Sequence, residues 1–103
     1  MNKDKKYKEV YDIYAIGHAH IDPVWQWNVS EGYQEVFATF RSALDRMREF
    51  PEVYFVASSA QFYEWVAEAE PDMFKEIATR VQEGRWIPVG GWWVECDINC
   101  ATG

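Results

Sequence analysis

Several things are scarce in this sequence, and each scarcity narrows what the chain can do. No apolar run approaches the ~20 residues of a membrane-spanning helix, so no membrane role is expected. Positive charge is short: 10 Lys and Arg stand against 17 Asp and Glu, a net charge of −7 with no basic stripe. That balance excludes the usual footprint of a nucleic-acid binder or of a protein that docks on anionic lipid. Lys3, Lys5, Lys6 and Lys8 are interleaved with acids and read as part of a solvated, flexible leader over residues 1–10. The apolar residues after them end at Gly17, too short a run for a signal peptide, and no small-residue cleavage site follows. The expected location is therefore cytoplasmic. Cysteine is limited to Cys96 and Cys100, which in that compartment are expected to be reduced thiols. Their Cys-x3-Cys spacing lacks the second pair that a structural zinc site needs. Histidine is limited to two copies, His18 and His20, and both fall in one short segment.

What the chain has in quantity is apolar and aromatic surface. Hydrophobic residues make up 49% and aromatics 17%, which suits a packed domain rather than a disordered segment. Among six tryptophans, Trp65 and Trp86 are expected in the core. Exposed aromatic faces would suit a sugar ligand.

Residues 11–16 are short, apolar and β-prone, and read as a buried strand that opens into a loop at Gly17. Ser30 is a candidate helix cap. Val36, Phe37, Phe40, Ala43, Leu44 and Met47 recur at helical spacing until Phe50-Pro51, opposite a charged face of Arg41, Asp45, Arg46, Arg48 and Glu49. Residues 53–57 are continuously apolar and read as a strand covered on both sides. A short helix is expected over 61–68. Pro71 suits the first turn of another, with Met73, Phe74, Ile77, Ala78 and Val81 as its stripe and Gly84 as its stop. Residues 86–89 read as a third strand, although Pro88 cannot donate to a ladder. The order β, α, β, α, α, β predicts an α/β fold with parallel strands and right-handed crossovers. Three parallel strands cannot close a barrel, which takes ~250 residues. The chain is thus expected to be an incomplete part of a larger unit.

Two constellations carry chemistry. His18-Ala19-His20-Ile21-Asp22-Pro23-Val24-Trp25 lies beyond the first strand, at the sheet edge where α/β folds bind ligands. Residues two apart in an extended segment point the same way, so His20 and Asp22 can converge on one ion, with His18 on the same side. An imidazole nitrogen and a carboxylate oxygen are ordinary zinc ligands. Two hydrogen-bonded loop histidines are the plainer alternative, and Asp22 two residues on favours the metal. Pro23 biases Asp22 toward extended backbone. Gly90-Gly91-Trp92-Trp93-Val94-Glu95-Cys96-Asp97-Ile98-Asn99 follows the third strand and brings Asp97 to the same rim. Taken alone, Asp97 reads as a loop-capping carboxylate.

The two segments together, in this order and separation, resemble the start of glycoside hydrolase family 38, the α-mannosidases. Ser58-Ser59-Ala60-Gln61-Phe62-Tyr63 and Glu83-Gly84-Arg85-Trp86-Ile87-Pro88-Val89 between them are also similar to bacterial-type members. The likeness covers nearly all of the chain after about residue 11. It implies that residues 11–103 are the first three β/α units of a seven-stranded parallel β/α barrel holding one Zn2+, or another divalent transition metal. It makes His20 and Asp22 metal ligands, and Asp97 both a metal ligand and the catalytic nucleophile. Trp25 becomes the aromatic that packs against mannose. The implied activity is retaining, zinc-dependent hydrolysis of α-mannosidic bonds in mannose-containing oligosaccharides, with the chain inactive alone. Cys96 departs from the proline that many relatives carry before the aspartate. Two rivals remain at this stage: a metal-dependent amidohydrolase, which also places His-x-His after its first barrel strand, and a carbohydrate-binding module, whose usual β-sandwich the helical stripes oppose.

Overall fold

The computed structural model describes residues 9–95. Its elements follow the expected order: β1 (Gly17–His18), α1 (Val29–Glu49), β2 (Phe55–Ala57), α2 (Ala60–Ala69), α3 (Pro71–Gln82) and β3 (Trp86–Pro88). The three strands form one parallel sheet in the order β1-β2-β3. Gly17 pairs with Phe55 and His18 with Val56; Phe55, Val56 and Ala57 pair with Trp86, Ile87 and Pro88. Among the described residues the sheet does not close on itself. No helix among them is long and apolar enough to cross a membrane.

The first strand is not where the apolar run placed it. Residues 11–16 have no ladder partner among the described residues, and Val10, Tyr11, Ile13, Tyr14 and Ile16 are exposed. A β-prone sequence becomes strand only where another backbone takes its hydrogen bonds. Here the ladder begins at Gly17, whose N–H donates to the Tyr54 carbonyl at 3.1 Å, so His18 belongs to the strand rather than to the loop. The second strand also differs from expectation. Its burial alternates, with Phe55 and Ala57 buried and Val56 only half-buried, so one face is packed and the other is not fully covered.

Helix α1 starts earlier than Ser30 suggested. Asn28 is the cap: its side chain accepts from the Glu31 N–H at 3.0 Å, while the Glu31 carboxylate accepts from the Asn28 N–H at 3.2 Å. This reciprocal box satisfies two of the amide groups that a helix start leaves free. The apolar stripe then does what its spacing predicts. Val36, Phe40, Leu44 and Met47 are buried against Phe55 and Ala57 of β2, Phe62 and Val66 of α2, Met73 and Ile77 of α3, and Trp86 of β3. Trp86 sits at the centre, with ring centroids 4.7 Å from Phe55 and 5.1 Å from Phe40. Each such buried side chain contributes about 1.5–3 kcal/mol of hydrophobic stabilisation. Trp65 is half-buried against the core and tilts over Tyr33 and Phe62.

The charged face of α1 is not simply solvated. Arg41 and Arg48 both reach Glu76 on α3, at 3.0 and 2.6 Å. Burial pushes the Glu76 carboxyl up, but the hydrogen bonds from Arg48 and Arg41 outweigh it and hold the group below the usual carboxylate range. Arg85, just before β3, donates to the carbonyls of Met47, Phe50 and Val53, and so closes the C-terminal end of α1. At the end of α3, Gly84 adopts φ +74°, a left-handed stop that an L side chain rarely takes. Pro88 occupies the last position of β3, where its missing N–H costs nothing and Val89 donates to Ala57 instead.

Candidate active site

Three chain segments leave the C-terminal ends of the strands together, and the candidate residues lie on them. The first runs from His18 through Pro23. It is held against α1 at Gly32, which is buried and so close to Pro23 that an added methyl would fall 2.8 Å from the Pro23 carbonyl carbon. The Trp27 indole N–H donates to the Asp22 carbonyl at 3.2 Å, tying the loop from its other side. These restraints bring His20 Nε2 to 3.4 Å from Asp22 Oδ1.

The second segment is Ser58 and Ser59, after β2. Ser59 takes φ 71°, in the left-handed region, and makes no side-chain cap for α2. The third, after β3, supplies what that cap would have done. The carbonyls of Trp92 and Trp93 accept from the N–H groups of Ala60 and Gln61 at 3.2 and 3.0 Å. Glu95 completes the junction. Its N–H donates to Ser59 Oγ at 3.2 Å, and its Oε1 accepts from Ser58 Oγ. Its Oε2 lies 3.0 Å from His20 Nδ1, and its Oε1 lies 4.0 Å from His18 Nε2. Beneath the site, the Tyr63 hydroxyl donates to the Ala57 carbonyl at 2.8 Å and accepts from Trp86 Nε1 at 2.9 Å. Burial pushes the Tyr63 phenol up to about 12, against a smaller opposite effect of the Trp86 hydrogen bond.

The structure thus brings His20 and Asp22 together and sets His18 nearby. Trp25 lies on the same loop and is 68% exposed. Asp97, Cys96 and Cys100 lie outside the described residues. Among the described residues no group of three His, Cys, Asp or Glu side chains could hold a metal by itself. The pair still fits a zinc ion by its donor chemistry and spacing. Two ligands at 2.0–2.1 Å on one tetrahedral zinc stand roughly 3.4 Å apart, and 3.4 Å is the separation of His20 Nε2 and Asp22 Oδ1. The same distance is too long for a good N–H···O hydrogen bond. An open groove beside Gly17, Ala38 and Tyr54 touches His18 but neither His20 nor Asp22. It lies between α1 and the strands β1 and β2 and is not where the donors meet.

Residues 10–103 match the family model described as the glycosyl hydrolases family 38 N-terminal domain. The chain belongs to glycosyl hydrolase family 38. It is similar to an alpha-mannosidase of Saccharomyces cerevisiae, 38% identical over 93 residues, covering 89% of this chain and 9% of that protein. Alpha-mannosidase 2C1 of Homo sapiens is 38% identical over 93 residues, covering 90% of this chain and 9% of its own length. Alpha-mannosidase G of Dictyostelium discoideum is 35% identical over 91 residues, 88% of this chain and 8% of that protein. The family-38 chain therefore spans about 9% of the length of the curated relatives it matches. Both motif segments fall inside the matched stretch. Membership sets aside the amidohydrolase reading, and three helices set aside the β-sandwich binding module. Glu95, Ser58 and Ser59 are the site residues that motif reasoning did not single out. No spacing in the sequence links Glu95 to His20, because the two lie on segments that follow different strands.

Proposed function

We infer that this family-38 chain carries part of the active site of a retaining, zinc-dependent α-mannosidase. The three strands are the first of a seven-stranded parallel barrel whose C-terminal rim holds the site. The observation that carries the reading is the 3.4 Å approach of His20 Nε2 and Asp22 Oδ1 at the strand ends, in a chain whose relatives are named alpha-mannosidases.

His20 and Asp22 would hold the ion with Asp97, and a further ligand would come from elsewhere in the protein. Zinc, when bound, supplies positive charge that keeps nearby carboxylates ionised and grips sugar hydroxyls. Asp97 attacks the anomeric carbon. A bond forms from its carboxylate oxygen to that carbon as the bond to the leaving oxygen breaks, and the leaving oxygen takes a proton from a second carboxyl group. Water then displaces Asp97, giving its proton to the second group, now a carboxylate, and returning a free Asp97 carboxylate and a mannose of unchanged anomeric configuration. Trp25 offers its exposed face to the sugar ring, where C–H groups meet the π-surface.

Mechanism-based labelling tests this directly. A mannosyl reagent that traps the covalent intermediate, followed by peptide mapping, should place the label on Asp97. A label on another carboxylate, or inversion of configuration in the product, overturns the reading.

A further inference from the structure

We propose that Glu95 is a positioning residue for the metal site: its carboxylate accepts the Nδ1–H of His20 and so decides which ring nitrogen faces the ion. The proposal rests on the zinc reading of His20 and Asp22. A neutral imidazole carries one N–H and one lone pair, and only the lone pair binds a metal. The two nitrogens of His20 stand in different places. Nδ1 is 3.0 Å from Glu95 Oε2, within hydrogen-bond reach, while Nε2 is 3.4 Å from Asp22 Oδ1, beyond a good hydrogen bond but at the spacing of two zinc ligands. The proton therefore belongs on Nδ1 and the lone pair on Nε2, on the Asp22 side. A carboxylate behind a metal-bound histidine fixes its tautomer and ring angle and strengthens it as a ligand.

Glu95 is itself held in place. Ser58 donates to its Oε1, and its own N–H donates to Ser59 Oγ. Ser59 adopts its left-handed backbone and leaves α2 without a side-chain cap, so its hydroxyl is used for Glu95 rather than for its own helix. The carbonyls of Trp92 and Trp93 pin the same loop to the start of α2. The loop after β3 and the junction after β2 thus form one rigid mount, and His20, more exposed than Glu95, is the partner that needs orienting.

The test measures zinc affinity of the full-length protein by competition with a chromogenic chelator, alongside the melting temperature of the metal-free form. Glu95→Ala should weaken zinc about 10- to 100-fold, the usual effect of losing such a partner, with the metal-free melting temperature unchanged. Glu95→Gln, which keeps an acceptor oxygen in place, should restore most of the affinity. Glu95→Asp, which keeps the charge but shortens the reach, should weaken it again and carries the test if Glu95→Ala does not fold. Wild-type affinity in Glu95→Ala or Glu95→Asp overturns the proposal. Equal losses in Glu95→Gln and Glu95→Ala also overturn it, because Glu95 would then act through its charge as a direct ligand. A wild-type protein without zinc overturns the metal reading and this proposal together, whereas a zinc-loaded wild type with an indifferent Glu95→Ala overturns only this one.

Discussion

Replacing Gly32 by alanine should destabilise the start of α1, although the same change in most helices does the reverse. In a helix interior, alanine is favoured over glycine by about 1 kcal/mol. At Gly32 the new methyl would stand 2.8 Å from the Pro23 carbonyl carbon and closer still to its oxygen. Carbon pairs rest at about 3.5 Å or more, so the loop and helix must separate by about 0.7 Å or further. The obstacle is backbone, which cannot rotate aside as a side chain can. Overpacking of this kind costs about 1–3 kcal/mol; against backbone the cost falls toward the upper end, which leaves a net loss of up to about 2 kcal/mol after the helical gain. The displacement passes directly to Asp22, which precedes Pro23 and whose carbonyl is tied to Trp27. The His20–Asp22 spacing should open and zinc affinity fall by about tenfold, the equivalent of some 1.4 kcal/mol in a site that depends on ligand geometry. Hydrogen exchange of the α1 N-terminal amides and chelator competition on the full-length protein would report both effects. Slower exchange with unchanged zinc affinity would refute the packing argument.

Three further outcomes follow from the remaining contacts. Tyr63→Phe removes the hydroxyl between the Ala57 carbonyl and Trp86 Nε1 and strands a buried indole N–H, at about 1–3 kcal/mol. Because burial raises the Tyr63 phenol from 10.0 to about 12, its contribution is complete below pH 10 and is lost as pH rises through about 12; alkaline denaturation of Tyr63→Phe should lack that decline. Glu76→Gln breaks the α1–α3 tie to Arg41 and Arg48, costing about 1–2 kcal/mol for charge-assisted bonds at a largely covered carboxylate. With its folded pKa below 4.5, Glu76 stabilises above that value and ceases to as pH falls through the lowered one, so the variant's stability should be flatter in acid. Trp25→Ala should lower kcat/KM roughly 3- to 10-fold, the worth of one aromatic face, and leave the melting temperature within a few degrees because the ring is mostly exposed; a large stability loss with unchanged kinetics would assign it to packing.

Much of the fold was legible because local signals and the core agree. The stripe Val36, Phe40, Leu44, Met47 names its own buried face, Pro71 and Gly84 punctuate α3 at its two ends, and the alternation of strands with helices implies parallel pairing. Legibility failed where the deciding partner was distant. The apolar residues 11–16 look like a strand, but pairing with β2 begins only at Gly17, and nothing local to that run reveals the register. Arg41 and Arg48 look like a solvated face until Glu76, on another helix, is brought beside them. The helix start at Asn28 was readable in principle, since Asn28 and Glu31 have capping-box spacing, but Ser30 offered a competing cap two residues later. At the site, His20 and Asp22 share a short segment whose parity predicts their meeting. Glu95 reaches His20 from the far side of the sheet, across a separation that no spacing rule covers.

The central claim is that His20 and Asp22 bind the metal on which this family-38 site depends. Elemental analysis of the full-length protein and of its His20→Ala and Asp22→Ala variants tests it most directly. The wild type should hold zinc, and each variant that remains folded should lose both zinc and α-mannosidase turnover. A full complement of zinc in both variants would contradict it.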